Sequence, residues 1–161
     1  SRLSRGLGDV YKRQLLYIIE MADKFYLGID YGIKKTGIAI AQKVTKKSRP
    51  LKIIYKDYIN EIGKILEEWD IDKIVVGFPA HIGKKASKIQ DEINNFVNTL
   101  KKNINPSIEV ILFDEQLSSE LAKNDFAEMR NLGFTRKKNS DYDDISASII
   151  LQSWINENIM D

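Results

Sequence analysis

The chain has 161 residues, 43% apolar and 30% charged, with 25 basic side chains against 23 acidic ones, which suits a single globular domain with a substantial core. It contains no cysteine, so disulfides and thiolate metal sites are excluded and a reducing, cytoplasmic setting is expected. Residues 1–20 hold four basic side chains (Arg2, Arg5, Lys12, Arg13) and two acidic ones (Asp9, Glu20). Without them the net charge falls from +2 to zero, so bulk charge gives no argument for nucleic acid and any such argument rests on where the charges sit.

The first twenty residues, SRLSRGLGDVYKRQLLYIIE, are basic and then briefly apolar. The apolar run is shorter than the ~20 residues a membrane span needs, and it lacks a signal-peptide layout. SRGLGDVYKRQ is similar to translated adapter sequence that turns up at the ends of unrelated reading frames. Residues 1–20 are therefore expected to be a non-native or disordered extension, with Met21 the native start and one domain over 21–161; a real N-terminal helix packed on the domain is the alternative.

KFYLGID (24–30) is mostly apolar, like a strand covered on both faces. YGIKKTG (31–37) is a turn between glycines, and IAIAQKV (38–44) is the returning strand. LKIIYKDYI (51–59) reads as a third strand. INEIGKILEEW (59–69) has helical spacing of its apolar residues, and IDKIVVGFP (71–79) is a strand stopped by Gly77 and Pro79. ASKIQDEINNFVNTLKK (86–102) is a helix with Ser87 and Gln90 in capping-box spacing. SIEVILFDEQ (107–116) is a buried strand ending in two acids, and SSELAKNDFAEMRNLG (118–133) is a helix closed by Gly133. A basic connector, FTRKKNSDY, leads into the last helix, DDISASIILQSWINEN. The predicted order is β-β-β-α-β-α-β-α-α: an α/β fold with a mixed five-stranded sheet, its first three strands antiparallel and the rest parallel, flanked by helices.

In such sheets, sites form beyond the carboxyl ends of the parallel strands. Asp30, the Gly77–Pro79 stop and the Asp114–Glu115 pair would share that edge. On the last helix, Ala147, Ile150 and Trp154 each fall within about 40° of Asp143, which sets Asp143, rather than Asp141 or Asp144, at the top of the sheet-facing stripe. Singly, each acid has an ordinary reading: a strand-end acid, a surface salt bridge, a helix N-cap. Together, Asp30, Glu115 and Asp143 would repel one another unless cations sat between them. An all-oxygen ligand set favours Mg²⁺ or Mn²⁺, and two such ions can activate water and stabilise a leaving oxygen in phosphodiester hydrolysis.

GIDYGIKKTGIAIA, IVVGFP followed by a glycine, FDEQLSSELA and DDISASIILQSW resemble, in order and spacing, four signatures of the YqgF/RuvX family. Its members are described as Holliday junction resolvase-like proteins and as pre-16S rRNA nucleases with a ribonuclease H-like fold. The resemblance runs from about residue 25 to residue 155. It implies catalytic, metal-holding acids at Asp30, Glu115 and Asp143, the three that the spacing picks. It also implies nuclease activity on structured nucleic acid, with the 5′ end of the small-subunit rRNA precursor as substrate. Gln116 stands where the family usually has Arg, Ser118 and Ser119 replace two Thr, the loop after Pro79 is shortened to AHIG, and Asp144 follows Asp143 where a neutral residue is usual.

Basic residues cluster at Lys34 and Lys35, at Lys84, Lys85 and Lys88, and at Arg136, Lys137 and Lys138, in loops at or leading into the proposed acidic edge. Lys34, Lys35, Lys85 and Arg136 to Lys138 are the candidate phosphate contacts. Solvated loop charge is the plain alternative. Lys43, Lys46, Lys47 and Arg49 form a fourth cluster of open placement. His81, the single histidine, is read as a loop residue and Tyr31 as core. The expected partner is nucleic acid, pre-rRNA before branched DNA, with no membrane and a monomer or weak dimer. The rivals are a Holliday junction resolvase-like DNA endonuclease, a catalytically inactive nucleic-acid-binding module, and a nucleotide-binding half-domain suggested by GIDYG.

Overall fold

The computed structural model describes residues 2–80, 86–114 and 142–159, and side chains within 6–80, 88–114 and 145–159. In chain order the elements are α1 (Arg2–Ala22), β1 (Lys24–Asp30), β2 (Thr36–Gln42), β3 (Ser48–Ile54), α2 (Tyr58–Glu68), β4 (Asp70–Phe78), α3 (Ala86–Asn103), β5 (Glu109–Asp114) and α4 (Tyr142–Asn158). The helix predicted over 118–133 lies outside the described residues.

The sheet has the order β3-β2-β1-β4-β5. The β1–β2 and β2–β3 pairs are antiparallel, and β1–β4 and β4–β5 are parallel. Strand order is not a local signal, but short turns force the first three strands to pair as neighbours, and the helical crossover after β3 returns the chain beside β1. Pro50 sits in β3, an edge strand, where its missing N–H costs no ladder bond. The third strand starts and stops earlier than predicted. Asp57 adopts a left-handed conformation, φ 52°, which ends the extended run, so Tyr58 and Ile59 open α2 instead of closing β3.

Two apolar layers sandwich the sheet. On one face Leu27, Ile29, Ile38 and Ile74 pack with Ile62 and Ile65 of α2 and Ile93, Phe96 and Leu100 of α3. On the other, Tyr26, Ala39, Ala41, Val75 and Phe113 pack with Ala147, Ile150, Leu151 and Trp154 of α4. The small alanines of β2 admit the helix closely, and Tyr26 meets Trp154 edge to face at 5.2 Å.

Ala147, Ile150 and Trp154 of the predicted stripe are buried as expected, but so are Ile145, Ser148, Gln152, Ser153 and Ile155. Burial on α4 is therefore broader than one stripe. Its polar row serves the β2–β3 connection. The Ser48 backbone N–H donates to Gln152 Oε1 at 2.8 Å, and Ser48 Oγ donates to the Ser148 carbonyl at 2.9 Å. Gln152 Nε2 donates to the Lys46 carbonyl at 3.1 Å. These bonds, buried or partly so, tie residues about a hundred positions apart in the chain.

Ser87 lies within α3 and not at its cap. Gln90 Nε2 instead donates to the Pro79 carbonyl at 2.6 Å, fastening the end of β4 to the helix that follows. Residues 2–22 are helical, with side chains exposed from residue 6 to residue 20. Where α1 meets the sheet, Gln42 Nε2 donates to the Ala22 carbonyl.

Gln152→Ala strands a buried N–H and a carbonyl, and should lower stability by roughly 1–3 kcal/mol; an unchanged urea midpoint would show that the β2–β3 anchor is dispensable. Lys43 Nζ pairs with Asp72 at 2.7 Å, and that hydrogen bond lowers the Asp72 carboxyl below its usual 3.8. A depressed folded pKa means that the pair's contribution is present above pH 3.8 and is lost as pH falls through the lowered value. Wild type and Asp72→Asn should therefore differ in stability at neutral pH and converge in acid, as followed by denaturant unfolding at several pH values.

Candidate active site

Alternation along β1 sends Tyr26, Gly28 and Asp30 to one face and Leu27, Ile29 and Tyr31 to the other. Tyr26 belongs to the α4 layer, and Leu27 and Ile29 to the α2–α3 layer. Asp30, half-buried at the end of the strand, is therefore on the α4 side.

Gly28 shows how closely that helix lies. A Cβ built there would meet Leu151 Cβ at 2.7 Å and the Ala147 carbonyl oxygen at 3.0 Å. So Tyr26 touches Trp154 and Gly28 faces Leu151 and Ala147: as β1 advances, α4 runs backwards. Two strand residues advance about 6.7 Å and four helix residues about 6 Å. One more step of that size carries β1 to Asp30 and α4 into its first turn, which holds residue 143.

The parallel neighbours end at the same edge. Ile29 pairs with Val76, and one rung on, Gly77 pairs with Phe113 and Phe78 with Asp114. Two strand spacings, about 9.6 Å, separate β1 from β5. Asp114 is half-buried, and Phe113 before it packs in the α4 layer.

The β1–β2 turn is held tightly beside Asp30. The buried Thr36 hydroxyl donates to the Gly32 carbonyl and accepts from the Gly32 N–H, both at 3.4 Å. The Tyr58 hydroxyl donates to the Ile33 carbonyl at 3.0 Å. A Cβ at residue 32 would collide with the Lys35 carbonyl oxygen, so only glycine fits there. The turn encloses an open depression of about 400 Å³ lined by Asp30, Tyr31, Gly32, Ile33, Lys34 and Lys35. One carboxylate and two ammonium groups thus share one small surface. Sequence reading passed over Thr36 and Tyr58; the Thr four residues after Gly32 was the available signal.

Of the predicted site residues, Asp30, Lys34 and Lys35 are brought together. Glu115, Lys85, Arg136, Lys137, Lys138 and His81 lie outside the described residues, and Asp143 is described as a helix position only. Among the described residues no group of three His, Cys, Asp or Glu side chains could hold a metal ion. The fourth basic cluster is at the opposite end of the sheet: Gln42 pairs with Phe25 at the start of β1. There Lys43 pairs with Asp72 and the Arg49 guanidinium lies over the Trp69 ring at 5.6 Å. Tyr31 is partly buried and stacks on Phe96 at 4.8 Å, as a core reading expects. Burial first, then the Glu92 carboxylate and Tyr58, raise its phenol above 10.0, which keeps it neutral at ordinary pH.

The family model for RuvX, Holliday junction resolvase, matches residues 24–157. The chain belongs to the RuvX family. Relatives carrying the name "Putative pre-16S rRNA nuclease" agree with it. One from Psychrobacter sp. is 34% identical over 139 residues, covering 80% of this chain and 76% of that one. One from Mycoplasma mobile is 38% identical over 136 residues, covering 81% and 90%. One from Buchnera aphidicola is 33% identical over 135 residues, covering 81% and 97%. Among solved structures, Thermus thermophilus RuvC in complex with a Holliday junction substrate superposes with a TM-score of 0.59 at 11% identity, covering 84% of this chain and 96% of that one. A second T. thermophilus RuvC structure gives 0.55 at 15%, covering 83% and 96%. At these identities the likeness is one of fold, and it agrees with the ribonuclease H-like sheet expected from the RuvX motifs.

Gly28→Ala in this RuvX-family chain should force α4 away from β1 and cost roughly 1–3 kcal/mol, as overpacking of a filled contact does. A thermal unfolding midpoint equal to that of the wild type would show that the helix is not seated as described.

Proposed function

We propose that this RuvX-family chain is a divalent-metal-dependent nuclease of the cytoplasm that processes the 5′ end of pre-16S rRNA, its catalytic domain spanning residues 21–161. The observation that carries the reading is the antiparallel seating of α4 on β1, with Gly28 at the contact. It directs the helix turn containing Asp143 towards the strand end containing Asp30. The parallel ends of β4 and β5 support adding Glu115, which follows Asp114 directly in the chain. The names of relatives at 33–38% identity favour ribosomal RNA; the junction-bound neighbour, at 11%, supports the fold alone.

The donor set fits the cation. The proposed ligands are carboxylates, and Asp30 and Asp114 stand at parallel strand ends on one edge, a setting of hard oxygen donors suited to Mg²⁺ or Mn²⁺. Asp30, Glu115 and Asp143 would hold it. When bound, such an ion activates water for attack on phosphorus and stabilises the leaving oxygen. The chain's own work is positioning. The Thr36 and Tyr58 hydrogen bonds hold the turn, so Lys34 and Lys35 meet the phosphate beside Asp30 at little ordering cost. Lys85, Arg136, Lys137 and Lys138 would extend that grip along the backbone, and Gln116 leaves it without the arginine usual at that position.

Asp30→Asn should lower Mn²⁺-dependent cleavage of a pre-16S leader RNA by more than about 100-fold, beyond the 10–100-fold that altering a metal's supporting residues costs, while RNA binding persists. Retained cleavage would exclude the mechanism. Faster cleavage of a four-way DNA junction than of the leader would favour the resolvase reading, and metal-independent binding without turnover the inactive module. Lys34→Ala and Lys35→Ala should each reduce the salt dependence of RNA binding by about one phosphate contact. Fluorescence anisotropy across a salt series measures this, and an unchanged slope would remove those lysines from the interface.

A further inference from the structure

A second depression, of about 490 Å³, opens between α2 and α3 and shares Tyr31 with the one beside Asp30. Three aromatic rings line it. Tyr31 stacks on Phe96 with 29° between their planes, and Tyr58 stands edge-on to both rings, at 5.9 Å from Tyr31 and 6.5 Å from Phe96. Its rim is polar and uncharged or acidic: Asn60 from α2, Asn95 and Glu92 from α3. Among the described residues lining it, none is basic.

That chemistry is unsuited to a phosphate and suited to an aromatic ring bearing hydrogen-bond donors. The cations are next door, at Lys34 and Lys35, across the shared Tyr31. Resting on the nuclease reading above, we propose that this depression receives one unpaired nucleobase of the RNA strand, flanking the phosphate held beside Asp30. The base lies against the aromatic wall, as single-stranded nucleic acid does on aromatic platforms. Glu92, an acceptor, and the Asn60 and Asn95 amides read its edge. A carboxylate accepts N–H groups and donates none, so guanine, whose Watson–Crick edge presents adjacent N–H donors, is the preferred base. The geometry also gives Tyr58 two tasks. Its ring walls the depression while its hydroxyl holds the Ile33 carbonyl, coupling an occupied base site to the turn that carries the lysines.

The test uses the full chain with Asp30→Asn to stop turnover, and single-stranded RNA of about 12 nucleotides, within the span such proteins cover. Each nucleotide in turn is replaced by an abasic one, and affinity is read by anisotropy. The expected result is a loss of about 10-fold at one position, largest when the base removed is guanine. Filling the depression with Asn95→Trp, or from the other wall with Asn60→Trp, should weaken the intact RNA by a similar factor and leave affinity for the strand abasic at that position unchanged. Glu92→Gln should reduce the preference for guanine. Both tryptophan variants change exposed positions, and circular dichroism checks that they fold. A uniform response to abasic substitution, or tryptophan variants that bind both strands as the parent does, overturns the base site while leaving the nuclease reading intact. A chain that binds no RNA overturns both.

Discussion

Contact between a helix and a strand with no side chain in the way underlies the geometry of the candidate site. At Gly28, α4 comes so near β1 that a methyl group would overlap Leu151. Ala39 and Ala41 on β2 keep the same surface low. With the helix this close, strand and helix advance in step over short distances, and the relation between their ends follows from the relation between their middles. The bonds of Ser148 and Gln152 to the β2–β3 connection, two buried and one partly so, fix the helix against sliding. A site built from the end of a strand and the start of a helix needs both restraints.

The end of β1 also divides its work between two faces. Asp30 is directed to the α4 side, at the end of β1. Tyr31, one residue on, goes to the α2–α3 side and into an aromatic group. The intervening turn is short, closed by Thr36 and braced by Tyr58, and it presents Lys34 and Lys35 on the rim between the faces. A chain whose domain carries no net charge can still hold a polyanion if its cations are set in this way. The remote cluster of Lys43, Lys46, Lys47 and Arg49 is engaged in part elsewhere: Lys43 with Asp72 and Arg49 with Trp69.

Much of the fold was legible in the sequence because apolar runs and glycine–proline stops are local signals. The strands now seen at 24–30, 70–78 and 109–114 could be read from them, as could the helices carrying Ile62, Phe96 and Trp154. The end of β3 was misplaced because Asp57's left-handed backbone is a conformation, not a composition, and the apolar residues on either side of it look continuous. Ser87 and Gln90 had the spacing of a cap, but Gln90 found a tertiary partner in Pro79. On α4, periodicity marked Ala147, Ile150 and Trp154 correctly as sheet-facing, yet Ser148 and Gln152 are buried too, and only knowledge of Lys46 and Ser48 explains polar residues there. In the site, Asp30 stood out as an acid in an apolar strand. Thr36 was within reach as a local turn signal, but Tyr58 and the two-faced role of the turn were not legible, since each depends on groups that meet only after folding.

The central claim is that folding brings Asp30, Glu115 and Asp143 around a divalent ion. A crystal structure of the chain soaked in Mn²⁺, with the ion located by its anomalous scattering, tests it most directly. The account predicts manganese at the Asp30 edge with carboxylate oxygens of all three residues at roughly 2.1 Å, the spacing hard cations of this size demand. Manganese absent from that edge, or bound there by Asp30 while Glu115 and Asp143 point elsewhere, would contradict it.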